Sequence, residues 1–127
     1  MLTEKDYCDY ETCVALEEFG ITYFGLHFYK IGYPETLHHN YMQYMTERTA
    51  GALGRVLAIP LYSAQKWLRE EKKLHITIYS QSQESWQYRI TKPHQKLEDG
   101  LHGEDFSSYE EALSEGIKEA IKHIEII

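Results

Sequence analysis

Nowhere in the 127 residues is there an apolar run approaching the roughly 20 residues that cross a bilayer. The opening residues, Met1-Leu2-Thr3-Glu4-Lys5-Asp6, lack the basic start and apolar stretch of a secretory signal. Together these absences predict a cytoplasmic location and no membrane partner. Cysteine is scarce as well, with Cys8 and Cys13 the sole pair. If both lie on or beside one helix, their spacing puts them on different faces and would strain a disulfide. They read as small buried apolar residues of a protein that is not exported. Positive charge is in deficit, 13 Lys and Arg against 20 Asp and Glu, for a net charge of −7. Phosphate-driven binding needs a basic stripe, so this balance counts against a nucleic-acid partner.

Catalytic signatures are missing too. The chain has no GxSxG elbow, no HExxH and no CxxC, and Gly51-Ala52-Leu53-Gly54 lacks the lysine of a phosphate-binding loop. Glu17-Glu18 and Glu110-Glu111 read as solvated helix-surface carboxylates. His38-His39 and His102, the latter near Glu104 and Asp105, lack the three or four converging ligands that a zinc site requires. No metal, cofactor or catalytic residue is expected, and the protein reads as a non-enzyme.

What is present suits a folded domain. Hydrophobic residues make up 43% and charged residues 26%, and no repeat or Ser/Gly linker divides residues 1–127, which read as a single domain. A first helix is predicted over Tyr10 to Phe19, with Asp9 as N-cap, Gly20 as a left-handed stop, and Tyr10, Cys13, Val14 and Glu17 on one stripe. Thr22 to Lys30 alternates Phe24, Leu26 and Phe28 with Tyr23, His27 and Tyr29, the period of a strand. Gly32 and Pro34 break it, so Ile31 to Asn40 is expected as a loop and Tyr41 to Thr46 as the returning strand. Tyr33, Tyr41, Met42, Tyr44 and Met45 offer a second contact surface, outweighed by ordinary strand burial. Glu47 to Ile59 hovers between helix and loop, because Gly51 and Gly54 each oppose a helix by about 1 kcal/mol.

The second half is plainer. Pro60 opens a helix to Lys72, with Leu61, Ala64 and Leu68 on one stripe. His75 to Ser80 and Ser85 to Thr91 form a hairpin, in which Ile76, Ile78, Trp86, Tyr88 and Ile90 share one face. Pro93 to Gly103 is a polar connection. Ser107 with Glu110 makes a capping-box pattern ahead of a helix on Ala112, Leu113, Gly116, Ile117, Ala120 and Ile121. The order α-β-β-α-β-β-α predicts an α+β fold: one four-stranded, mostly antiparallel sheet with about three helices packed on one face.

The segment Pro60-Leu61-Tyr62-Ser63-Ala64-Gln65-Lys66-Trp67-Leu68-Arg69-Glu70, the following Leu74-His75-Ile76, and Ser108-Tyr109-Glu110-Glu111-Ala112-Leu113 resemble a family of small proteins. Those proteins belong to prophages and other mobile elements of gut Bacteroidetes. The likeness runs in order over most of the chain but leaves residues 31–59 out. The family carries no assigned activity and brings no site residues with it. It implies a bacterial or phage cytoplasm and an accessory role.

The expected sheet leaves one face without a helix. Tyr23, His27, Tyr29, His75, Tyr79 and Arg89 fall on it, together with Thr77 and Gln87. Tyrosine and arginine are favoured at protein interface hot spots, so a protein partner or a second copy of the chain is the leading expectation. Single-stranded nucleic acid stacked on the aromatic rings is the alternative. An enzyme or metal-binding protein with an unrecognised site is a second one.

Overall fold

A computed structural model of the chain describes residues 3–23, 25–31, 33–39, 50–51, 53–82, 85–92, 95–99 and 105–124. The expected strand Tyr41–Thr46 with its Tyr and Met side chains, Phe24, and His102 with Glu104 lie outside these residues. The fold is α+β, built as two compact units, Met1–Pro60 and Leu61–Ile127.

In the first unit, helix α1 covers Tyr10–Glu18. Its start is fixed by Asp9, whose Oδ1 accepts from the Thr12 N–H at 2.9 Å. Cys8 and Cys13 stand one residue before the cap and four after it, the places where a hydrophobic staple forms, and both are fully buried. Gly20 ends the helix at φ +92. There the Gly20 N–H donates to Glu17 O (3.0 Å) and the Ile21 N–H to Leu16 O (3.1 Å), with Leu16 and Ile21 both buried. That is a Schellman stop with its apolar contact. The buried helix residues are Thr12, Cys13 and Leu16, a stripe rotated from the expected Tyr10–Cys13–Val14–Glu17.

Three strands follow: β1 (His27–Lys30), β2 (Tyr33–His39) and β3 (Arg55–Leu57). They form an antiparallel sheet in the order β2-β1-β3. The expected strand is thus shortened to its last four residues, and the expected loop 31–40 holds a strand instead. Pro34 lies in β2, which has β1 as its one neighbour among the described residues; an edge is where a residue without an N–H is tolerated. In the ambiguous stretch, Ala50 and Gly51 are helical and Arg55–Leu57 is strand, with Gly54 at φ +71 making the turn between them.

The second unit holds α2 (Leu61–Glu71), β4 (His75–Ser82), β5 (Ser85–Lys92), β6 (Gln95–Asp99) and α3 (Tyr109–Lys122). Leu61, Ala64 and Leu68 of α2 are buried, as are Ala112, Leu113, Gly116, Ile117 and Ala120 of α3, and these are the predicted stripes. The N-cap of α3 is Ser108, one residue beyond the expected Ser107; its Oγ accepts from the Glu111 N–H at 3.1 Å. Ser107 instead donates from its hydroxyl to Glu111 Oε2 at 2.6 Å. The hairpin forms with the expected residues on one face, Ile76 opposite Ile90 and Ile78 opposite Tyr88. β6 then pairs with β5 inside what was expected to be a connection.

The single four-stranded sheet is therefore corrected to two antiparallel sheets, β2-β1-β3 and β4-β5-β6. The physical reason lies in the two unexpected strands. β3 takes the second edge of β1 and β6 the second edge of β5, so each hairpin completes a sheet of its own. Among the described residues no helix is long and apolar enough to cross a membrane.

Candidate partner-binding face

The six residues expected on one bare face divide between the two sheets. Tyr23 precedes β1 and is half-buried against Phe28, Ala50 and Leu57. It borders a small recess with Glu17, Ile21, Leu57 and Ile59, with room for about one water-sized molecule. Tyr29 is 7% exposed: its hydroxyl donates to Cys8 O at 2.7 Å, and its ring meets Tyr10 edge-on. Burial above all, with the Cys13 and Cys8 thiols next, pushes the Tyr29 phenol upward. Tyr29 is thus a core residue, which corrects its placement on an open face. The alternation along β1 holds, but the side opposite Phe28 is the side that residues 7–10 cover.

His27 lies on that covered side too. Its ring stacks on His39 across the β1–β2 ladder, centroids 4.5 Å apart, and its Nδ1 is hydrogen-bonded to the Tyr7 hydroxyl at 3.1 Å. Burial, with the His39 charge second, holds His27 below its ordinary value of 6.5. His38 points the other way and stacks on Phe28, whose ring also carries the Arg55 guanidinium at 4.1 Å. The adjacent histidines expected in a solvated loop therefore pair with β1, one on each face. Alternation had no purchase there, because Pro34 hid the strand. Among the described residues no group of three or more His, Cys, Asp or Glu is placed to hold a metal ion.

Cys8 and Cys13 are unbridged and enclosed. The Cys13 thiol donates to Cys8 O at 3.6 Å, and the Ile59 N–H donates to Cys13 Sγ at 3.4 Å. Its hydrogen bond with Cys13, reinforced by burial, holds the Cys8 thiol well above its ordinary range. A thiol that stays protonated is a poor nucleophile.

The remaining three residues do come together. α3 covers one side of the second sheet so closely that a Cβ on Gly116 would stand 3.0 Å from Ile76 Cγ2 and 3.2 Å from Tyr88 Cβ. His75, Thr77 and Arg89 point to the opposite side and are exposed, while Tyr79 is half-buried among them. Thr77 pairs with Arg89 across the ladder, and the Arg89 guanidinium lies 5.3 Å from the centre of the Tyr79 ring. The Tyr79 hydroxyl is buried without a hydrogen-bond partner among the described residues. Gln87, expected on the same open face, is buried instead and donates through Nε2 to Asp105 Oδ1 at 2.9 Å. The residues after β6 thus close one end of the face, while His75, Thr77, Tyr79 and Arg89 remain.

Comparison with family models, curated proteins and solved structures gave no match.

Sequence reasoning missed Gln65. Its Nε2 donates to the carbonyl of Ile76 at 2.9 Å, so a polar residue on the α2 flank caps part of the β4 edge. A glutamine in the middle of the helix before a strand carries no sequence signal for such a role.

Proposed function

We propose that the protein is a non-catalytic accessory protein that works by binding another protein. Its docking surface is the side of the second sheet formed by His75, Thr77, Tyr79 and Arg89. One observation carries this reading: α3 takes the apolar side of β4 and β5, and the opposite side keeps an exposed arginine stacked on a tyrosine. Arginine and tyrosine anchor protein interfaces because both bury large planar surfaces while retaining directional hydrogen bonds. A nucleic-acid platform needs successive open rings to stack bases. Among the described residues this face offers only the Tyr79 ring, with Arg89 above it, and the imidazole of His75. The net charge of −7 also opposes phosphate binding, so the protein partner is the better reading.

The setting implied by the family resemblance is a bacterial or phage cytoplasm. Purification from the producing cell tests the reading. A protein that accompanies the wild type should be lost with His75→Glu/Arg89→Glu, a variant that alters two exposed side chains and leaves the core intact. Retention of every accompanying protein by that variant overturns the proposal.

A further inference from the structure

The outer edge of β4 keeps backbone groups without a partner among the described residues. Among the described residues β4 has one strand neighbour, β5. In an antiparallel ladder, alternate residues direct both their N–H and C=O groups away from the neighbouring strand. Two observations fix which residues of β4 do so. Trp86, opposite Ser80, spends its N–H and C=O on Phe106, on the far side of β5. Ile76 turns its carbonyl out to Gln65. The even-numbered residues therefore point outward. Gln65 satisfies Ile76 O, and the ladder loses its regular register between Ser80 and Ser82. Between these two limits, the N–H and C=O groups of Ile78 and Ser80 face outward with no protein partner among the described residues.

We infer that this edge pairs with the same edge of a second copy of the chain, antiparallel and two-fold about Tyr79. The register is self-complementary. Ile78 exchanges N–H···O=C bonds with Ser80 of the second copy, and Ser80 with Ile78 of the second copy. The two Tyr79 residues face one another as the non-hydrogen-bonded pair, in which cross-strand side chains approach most closely. From His75 to Ser82 the strand reads His-Ile-Thr-Ile-Tyr-Ser-Gln-Ser, without the Lys, Glu or Pro that guard edges kept monomeric. No carboxylate on β4 opposes its counterpart, despite the net charge of −7.

Pairing also brings the proposed docking side nearer the size of a stable interface. Three strands about 4.8 Å apart and about seven residues long, at about 3.3 Å each, cover roughly 330 Å². A stable interface takes about 800 Å² from each partner. Two sheets joined edge to edge present roughly 660 Å² on one continuous side, with two sets of His75, Tyr79 and Arg89. The inference deepens the proposed function and rests on it for the use of that side.

Sedimentation equilibrium of the whole chain, from micromolar to several hundred micromolar, is the test. The expected mass rises toward twice the 15.0 kDa of one chain. Ser80→Pro removes an outward N–H and no ladder bond, and should weaken the dimer at least tenfold with unchanged far-UV circular dichroism. Should that variant fold poorly, Ser80→Lys, which places a charge on an exposed edge residue, should do the same. Slowed exchange of the Ile78 and Ser80 amides with rising wild-type concentration supports the pairing directly. A wild type that stays monomeric throughout overturns it, as does a dimer untouched by a folded Ser80 variant. Amides that slow only when a different protein is added assign the edge to that protein, and this also overturns the inference. The proposed docking side fails by a separate result, the indifference of partner retention to His75→Glu/Arg89→Glu.

Discussion

Tyr29 and Tyr79 show how one residue type serves opposite ends in the two units. The Tyr29 hydroxyl is spent inside, on Cys8 O, whereas the Tyr79 hydroxyl is buried with no partner among the described residues. A buried hydroxyl that makes its bond contributes about 1 kcal/mol, and one that does not costs about 1–3 kcal/mol of desolvation. Tyr29→Phe should therefore destabilise the protein by about 1–2 kcal/mol in urea unfolding, while Tyr79→Phe should be neutral or mildly stabilising. Equal losses from the two changes would contradict this assignment. His27 provides a second test at this scale. Its folded form takes up a proton less readily than the unfolded chain, because it is buried and faces His39. Below about pH 6.5 the unfolded state therefore binds more protons, and stability falls as the pH drops. Urea midpoints should decrease from pH 7.5 to pH 5, and His39→Gln should shrink that decrease by removing the opposing charge.

Among the elements, α3 and the β4–β5 hairpin set the face, and Gly116 is where they touch. Glycine inside a helix is ordinarily worse than alanine by about 1 kcal/mol. Here the added methyl meets Ile76 and the Cβ of Tyr88, which is anchored to the central strand and cannot swing aside. Gly116→Ala should thus cost about 1–2 kcal/mol in thermal or urea unfolding, against its helix propensity. A gain in stability would show that the helix stands off the sheet.

These same elements were the legible ones. A stripe such as Ala112, Leu113, Ile117 and Ala120, or an alternation such as Ile76, Ile78 against Thr77, Tyr79, records burial on one side, and burial is what a sequence pattern encodes. β2, β3 and β6 are strands for another reason. Tyr33–His39 contains a proline and paired histidines, Arg55–Leu57 is only three residues long, and Gln-Lys-Leu-Glu-Asp is polar but for one leucine. Each is held in place by the ladder of a neighbour, and backbone pairing imposes no side-chain periodicity on the strand that accepts it. The grouping of His75, Tyr79 and Arg89 was readable because the hairpin alternation places them together. The enclosure of Tyr29 was not, because its cover comes from residues some twenty positions upstream.

Taken as a whole, the chain is two compact units, each with an antiparallel three-stranded sheet. The first closes both sides of its central strand. Phe28 is buried with Ala50 and Leu57, and Tyr29 is hydrogen-bonded to Cys8. The second leaves one side of its sheet with polar, aromatic and cationic groups directed outward. That difference underlies the proposed role. The most direct measurement is site-specific photo-crosslinking in the producing cell, with the photoreactive residue placed at Thr77, in the middle of the open side, or at Lys66, exposed on α2. The account predicts a discrete cross-linked protein from position 77 that disappears with Arg89→Glu, and none of that protein from position 66. Equal cross-linking from both positions, or a product indifferent to Arg89→Glu, would contradict it.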